Sequence, residues 1–407
     1  MEYVRFLRDN AKWLAAGVLL TFSSSYGQTY FISIFAGEIM GRFSLSHGQW
    51  GAIYTLGTAA SAVVMIWSGA LTDQFRVRQL GAVILALLAV ACFFMASVPS
   101  VFALPFAIFA LRLFGQGMAS HIAIVGMARW FVATRGRAMS IATLGFAAGQ
   151  AILPVVFVVL LVLFDWRALW VAVGIVSLLS IPVLLWLLKQ ERTPQSIAKE
   201  SPSVGMNGDQ WTRKAVLHHW LFWLLVPSLL GPAAWGTALL FQQVHLTQVK
   251  GWSHVEFVSL LPLFTLVSIL TTFATGWALD KFGTSRLMPL LMLPYAMAFM
   301  ILAAADSIGM AALGLAVFGI GTGASSTLPA AFSAEYFGTR HIGSIKALFA
   351  AIMVLGSALG PGITGWLIDL GIDFPDQMNW LALYFVAAAI LVTIGIRWAR
   401  PMLSVPA

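Results

Sequence analysis

Charge is scarce in this chain: only 9% of its 407 residues are Asp, Glu, Lys or Arg. A water-soluble domain carries roughly a quarter, so most of the surface is built to face something other than water. Cysteine is nearly absent too. Cys92, the single one, lies in an apolar run, which rules out an internal disulfide and reads as packing. There is no nucleotide loop, no metal-ligand cluster and no nucleophile with a base at usable spacing; His218-His219 beside a helix start comes nearest. These gaps argue against an enzyme and against any cofactor or metal. Acid is also missing where a buried proton relay would need it. Glu38, Glu256 and Asp306 fall near one set of span ends and Glu335 near the other, with none central.

What the chain has is apolar length. Hydrophobic residues make up 60% of it, with 16 Trp and 29 Phe. A helix crosses a bilayer with about 20 mostly apolar residues. Such stretches run near 13–36, 50–71, 79–97, 102–122, 137–163, 168–188, 219–243, 255–278, 287–305, 309–331, 344–368 and 380–397. The expected fold is therefore all-α and integral to the membrane, with twelve transmembrane helices. The first stretch follows Arg5, Arg8 and Lys12 as a signal peptide would, but Ser23 to Tyr30 offers no small-x-small cleavage site, so it is expected to be retained.

Basic residues set the expected orientation. Only Arg42, Arg167 and Lys250 fall in the loops of one side, and Arg112 lies inside a span. The other nineteen of 23 fall on the opposite side, which the positive-inside rule makes cytoplasmic, with both termini. The formal charge of +8 thus reflects topology, and no nucleic-acid partner is expected.

The one long polar stretch away from the ends, Gln190 to Lys214, is rich in Pro, Ser, Asn and Gly. It divides the chain into an expected bundle at 1–190, a cytoplasmic linker at 191–214 and a second bundle at 215–407. The bundles repeat. A shift of 207 positions lays Gly69 on Gly276, Asp73 on Asp280, Gly136 on Gly343, Gly149 on Gly356 and Pro154 on Pro361. Coincidences among such residues at one shift indicate two pseudo-symmetric six-helix bundles of like orientation.

Two turns sharpen this. Gly69-Ala-Leu-Thr-Asp73-Gln-Phe-Arg76-Val-Arg78 follows the second span, and Gly276-Trp-Ala-Leu-Asp280-Lys281-Phe-Gly283-Thr-Ser-Arg286 follows the eighth. Both resemble the G-x-x-x-D-(R/K)-x-G-x-(R/K) loop of the major facilitator superfamily. The first copy departs at Gln74 and Arg76. The fourth span's Arg112-Leu-Phe-Gly-Gln116-Gly117 is similar to that family's Arg-x-x-Gln-Gly pattern. The resemblance covers nearly the whole chain and implies a secondary transporter working by alternating access. Asp73 and Asp280 sit at helix C-termini, where the helix dipole disfavours an acid. The resemblance implies that they contact the opposite half near the starts of the fifth and eleventh spans, where Gly136-Arg137 and Gly343-Ser344 lie. Asp73, Arg78, Arg137, Asp280, Lys281 and Arg286 are thus the expected gating set; the plainer reading is solvated loop charges that serve topology.

The resemblance also implies a central cavity lined by the first, fourth, seventh and tenth spans. Polar groups there are costly unless paired or hydrated. The expected substrate-binding residues are Tyr26, Gln28, Tyr30, Arg112, Gln116, Gln150, Trp235 and Gln242. Arg112 and Gln116 are four apart, on one helix face. Arg112 lies about 25 Å from Arg129 at the cytoplasmic end. It reads as an anion anchor, or as a structural arginine held by carbonyls and Gln116. Arg129-Trp-Phe, Arg135-Gly-Arg137 and Glu335-Tyr-Phe-Gly338 look like the monocarboxylate and oxalate/formate branch, implying a small organic anion such as a monocarboxylate. The eighth and eleventh spans hold no deep cation, so export of neutral or amphiphilic drugs and heterocycles stays open, and a non-transporting membrane sensor is the remote reading. The expected partners are a small-molecule substrate, the lipid bilayer of the cell's inner (plasma) membrane, and a coupling proton or counter-substrate. The protein is expected to be a monomer.

Overall fold

The computed structural model describes residues 2–69, 71–131, 134–190 and 204–403, the side chains of residues 2–4, 73 and 135 excepted. Apart from one isolated bridge pairing Met206 with Leu403, the described residues form helices and turns. Eleven helices are long and apolar enough to cross a bilayer. With the broken first helix they make twelve: α1 Glu2–Ser23, α2 His47–Ser68, α3 Val77–Ser97, α4 Val101–Trp130, α5 Gly136–Leu161 and α6 Trp166–Leu187. The second set is α7 Trp220–Phe241, α8 His254–Phe282, α9 Thr284–Ala304, α10 Ile308–Phe337, α11 Ile342–Asp369 and α12 Phe374–Met402.

The chain divides into two compact units, Met1–Lys199 and Glu200–Ala407, each with six spans. Short polar caps start the helices where the apolar runs begin. Ser46 and Gln49 form a reciprocal capping box on α2, Asp165 accepts from the Arg167 N–H, and Ser307 accepts from Met310. In the first unit α1 packs on α5, and α3 on α6. Leu20, Leu85, Ile122, Met127 and Trp130 belong to one buried apolar core, and Cys92 is fully buried. In the second unit α7 packs on α11, α8 on α10, and α9 on both α10 and α12. Rings take much of this interior: Tyr295, Phe299, Phe318 and Phe385 stack or meet edge to face at 5.1–6.0 Å.

Large apolar side chains, Trp67, Phe102, Trp277 and Trp366 among them, stand exposed on the units' outer faces, as a hydrocarbon solvent requires. Lys12 lies over the Trp186 ring and Lys281 over Trp277, pairings suited to the headgroup level.

The first span departs from expectation. Its helix starts at Glu2 and stops at Ser23, where a continuous run to residue 36 was expected. The polar stretch expected as linker also has structure in its described part. Met206 N–H donates to the Tyr336 carbonyl at 2.8 Å, Trp211 N–H to Phe337 at 3.1 Å, and Gln210 accepts from Arg340 N–H at 3.0 Å. Residues 204–212 thus lie against the end of α10; residues 191–203 are outside the described set.

Candidate functional site

The polar interior of the first unit is built around the interruption of α1. After Ser23 the chain tightens into a 3-10 turn, Ser24–Gly27, then becomes extended at Gln28 (φ −86°, ψ 152°) before helix resumes at Thr29. A break in the ladder strands backbone carbonyls where no water replaces the lost donor. Arg112 answers one of them: its guanidinium donates to the Gly27 carbonyl at 3.1 Å and to Thr29 Oγ1 at 3.4 Å. The guanidinium also stands 5.4 Å from the centre of the Tyr54 ring, whose hydroxyl is 2.5 Å from that of Thr29. Arg112 is 1% exposed. It is the keystone of the broken helix, and in this arrangement its charge meets protein groups.

The approach of α4 to α1 depends on missing side chains. A Cβ added at Gly27 would stand 2.7 Å from the Gln116 nitrogen and 2.9 Å from Gly115 Cα, and one at Gly115 would stand 2.7 Å from Gly27 Cα. At this crossing α4 itself widens into a π-helical stretch, Arg112–Ala119, a form frequent at functional sites. Arg112 and Gln116 therefore differ in what they meet: Arg112 is sealed, while Gln116 stays half-exposed.

Around this keystone lie the other expected residues of the unit. Gln28 and Gln150, like Gln116, are half-buried amides. Tyr30 is buried, donates to Ser25 Oγ at 2.8 Å and meets the edge of Phe146 at 5.7 Å. A Cβ at Gly149 would lie 3.5 Å from the Tyr30 hydroxyl, which brings Gln150's turn of α5 beside the break in α1. Tyr26 is buried between Phe22 and Phe31 as a packing ring.

The second unit buries as many polar side chains and carries two of the expected substrate-binding residues. Gln242 is buried and donates through Nε2 to Thr364 Oγ1 at 3.1 Å, tying the end of α7 to α11. Trp235 is half-buried, edge to face with Tyr384 at 5.7 Å. Gly231-Pro232 falls within a continuous helix, and a Cβ at Gly231 would press on Tyr384. Tyr384 donates to the Pro227 carbonyl at 2.8 Å. The expected set leaves out Tyr295 of α9, whose hydroxyl lies 3.1 Å from Ser325 Oγ of α10. A tyrosine in an otherwise apolar span was the available signal, as it was for Tyr54.

Of the expected gating residues, Arg78 opens α3, Arg137 opens α5 and Arg286 opens α9, all exposed. Asp280 is exposed near the end of α8, with Lys281 beside it over Trp277 and Phe282. The side chain of Asp73 is outside the described set; its backbone lies in a short helix, Leu71–Gln74. The two turns differ as their sequences do. Gly283 has φ 74°, which only glycine adopts readily, while Arg76 at the matching position has φ −69° and ψ 145° and caps α3.

Comparison with known proteins follows from this architecture. The family description "Major Facilitator Superfamily" matches residues 17–305 and 245–403. An uncharacterized 38 kDa protein in the 23S RNA operon of Thermoproteus tenax is 28% identical over 400 residues, 97% of each chain. A multidrug resistance protein B homolog of Mycobacterium tuberculosis is 31% identical over 106 residues, 26% of this chain and 19% of that one. Among solved structures, a bacterial homolog of the human lysosomal transporter Spinster superposes with TM-score 0.72 at 18% identity, covering 98% of this chain and 99% of that one. The nucleoside transporter NupG superposes with TM-score 0.70 at 14% identity over 95% of this chain and 99% of its own. Six spans in each of two units, matched by one family across both, settle the assignment: the chain belongs to the Major Facilitator Superfamily, and it is a membrane transporter, not an enzyme.

Proposed function

We propose that this protein is a secondary transporter that carries a small organic solute across the cell's inner (plasma) membrane by alternating access. The first unit supplies the principal recognition groups. The observation that supports this most is the state of Arg112, 1% exposed and hydrogen-bonded to the Gly27 carbonyl. With that cation engaged, the groups left to meet a solute are the half-buried amides of Gln28, Gln116 and Gln150 beside aromatic walls. Such a surface suits a neutral or amphiphilic molecule with several hydrogen-bonding edges. The nucleoside and multidrug relatives fit this reading.

An organic anion such as a monocarboxylate is the second reading. Arg112 favours it: α4 to α6 carry no Asp or Glu before Asp165, so its field at the break is not offset by an acid on those spans. Asp73, Arg78 and Arg137 in the first unit and Asp280, Lys281 and Arg286 in the second are proposed as alternately made and broken gate contacts, on a cytoplasmic face that also holds both termini.

The test is counterflow or direct uptake in liposomes against a panel of neutral heterocycles and monocarboxylates. Gln116→Ala and Gln150→Ala should raise KM for the accepted solute several-fold with folded yield unchanged. Saturable transport of monocarboxylates alone would overturn the neutral reading, and no saturable transport of either class would overturn both.

A further inference from the structure

Away from the α1 break, a hollow of about 480 Å³ opens at the end of α12, between it and the start of α9. Its charged wall is made by Arg397 and Arg400, in the last turns of the helix, with Ser285 and Thr393 as hydroxyl neighbours. No Asp or Glu lines it. Among the described residues neither guanidinium has a hydrogen-bond or ion-pair partner, although both are among the strongest donors the chain possesses. Ser285 is already paired with the Tyr336 hydroxyl at 2.7 Å; if that phenol donates, the serine O–H remains free to turn into the hollow. The acids of this region, Asp280 and Glu335, line an adjoining hollow that Arg400 and Ser285 also border, and there Glu335 is engaged, accepting from Thr284 at 2.6 Å.

The rim is of the opposite character. Pro289 and Ile396 form the apolar wall, and Leu290 (54% exposed), next to Pro289 in α9, faces outward. Two arginines in a recess, with bulky apolar side chains projecting beside it, call for a ligand with an anionic head and a hydrocarbon body. The recess also lies at the span ends where Arg and Lys concentrate, so it meets the headgroup level of one leaflet.

We propose that the Arg397–Arg400 hollow is a binding site for the phosphodiester headgroup of an anionic phospholipid, independent of the transported solute. The two guanidiniums clamp the phosphate oxygens, Ser285 donates a third hydrogen bond, and the acyl chains lie along Pro289, Leu290 and Ile396.

The test is native mass spectrometry of the detergent-purified full-length protein titrated with phosphatidylglycerol, phosphatidylcholine or inorganic phosphate. The wild type is expected to retain phosphatidylglycerol and not phosphatidylcholine. The Arg397→Gln/Arg400→Gln pair is expected to weaken that retention by about tenfold or more, and Arg397→Lys/Arg400→Lys to weaken it less. As a control for generalised attraction, Arg213→Gln/Lys214→Gln, exposed on the same side, should leave retention unchanged. Equal retention by the glutamine pair, or an equal loss in the control pair, would overturn the site. Displacement of the lipid by millimolar inorganic phosphate would assign the clamp to a soluble anion and overturn the lipid occupant. Should the glutamine pair not fold, Ser285→Tyr fills the same hollow, and undiminished phosphatidylglycerol retention by that variant would equally refute the proposal.

Discussion

The two bundles share a plan and differ in the chemistry placed on it. At the 207-residue shift Arg112 corresponds to Gly319 and Gln116 to Gly323. In the first unit these positions hold a guanidinium and an amide against the interrupted α1. In the second they are bare backbone. A Cβ at Gly319 would stand 2.8 Å from the Phe264 carbonyl, and one at Gly323 would stand 2.8 Å from Thr271 Cβ, so α10 lies directly on α8. Close approach without side chains is a packing device inside membranes. A buried arginine there is costly and persists where it answers an equally costly group. The matched positions press on different partners, α1 in the first unit and α8 in the second, and the charge and the break it supports stand in the first.

Arg112→Ala should show the largest asymmetry. It strands the Gly27 carbonyl, removes the cation from the Tyr54 ring and leaves a void, at a cost of about 3 kcal/mol or more. The expected outcome is a large drop in apparent melting temperature in detergent, with Arg112→Lys recovering only part of it. An unchanged melt would mean that α1 holds its break unaided. Next come the glycines of the two crossings. Gly27→Ala meets backbone within 3 Å at Leu111, Gly115 and Gln116, whereas Gly319→Ala has backbone that close only at Phe264 and otherwise meets the adjustable Val267. Overpacking costs typically 1–3 kcal/mol, so the first should fall near the top of that range and the second near the bottom, read by the same melts. Equal costs would say that the second crossing is as rigid as the first.

Smaller effects sharpen the comparison from the second unit's side. Tyr384→Phe removes one hydrogen bond, to the Pro227 carbonyl, and should cost about 1 kcal/mol. A cost near that of Arg112→Ala would place a second keystone at the Pro227 and Pro232 region of α7. The smallest effect concerns His219, whose imidazole accepts from the Leu221 N–H to cap α7 and whose burial lowers its pKa. The neutral ring is the form that caps. This contribution is therefore present above the ordinary histidine range, about pH 6.5, and is lost as pH falls through the lowered folded value. His219→Asn keeps a capping oxygen without the titration. Its melting temperature should track the wild type at pH 8 and exceed it slightly at pH 5; identical pH profiles would remove His219 as the titrating cap.

The spans were legible because hydrocarbon thickness imposes a length on them that no local preference overrides. The copied turns were legible because Asp is rare in such a sequence. Ser23 to Tyr30 announced polarity but not its backbone: whether a run of Ser, Tyr and Gly stays helical depends on what lies across from it, and the partner, Arg112, is 85 residues away. Nor does any spacing reveal that Arg112–Ala119 widens, since the widening arises where two helices press glycine on glycine. Trp235 and Gln242 were chosen as polar groups in an apolar helix. Gln242 is used instead to join α7 to α11, a pairing set by tertiary contact.

The fully buried thiol of Cys92 has a practical consequence. With the lone thiol sealed from solvent, the native chain is a nearly silent background for maleimide chemistry. A cysteine introduced at an exposed helix start, Arg78 or Arg286 for example, would report its own accessibility without first stripping the protein of thiols.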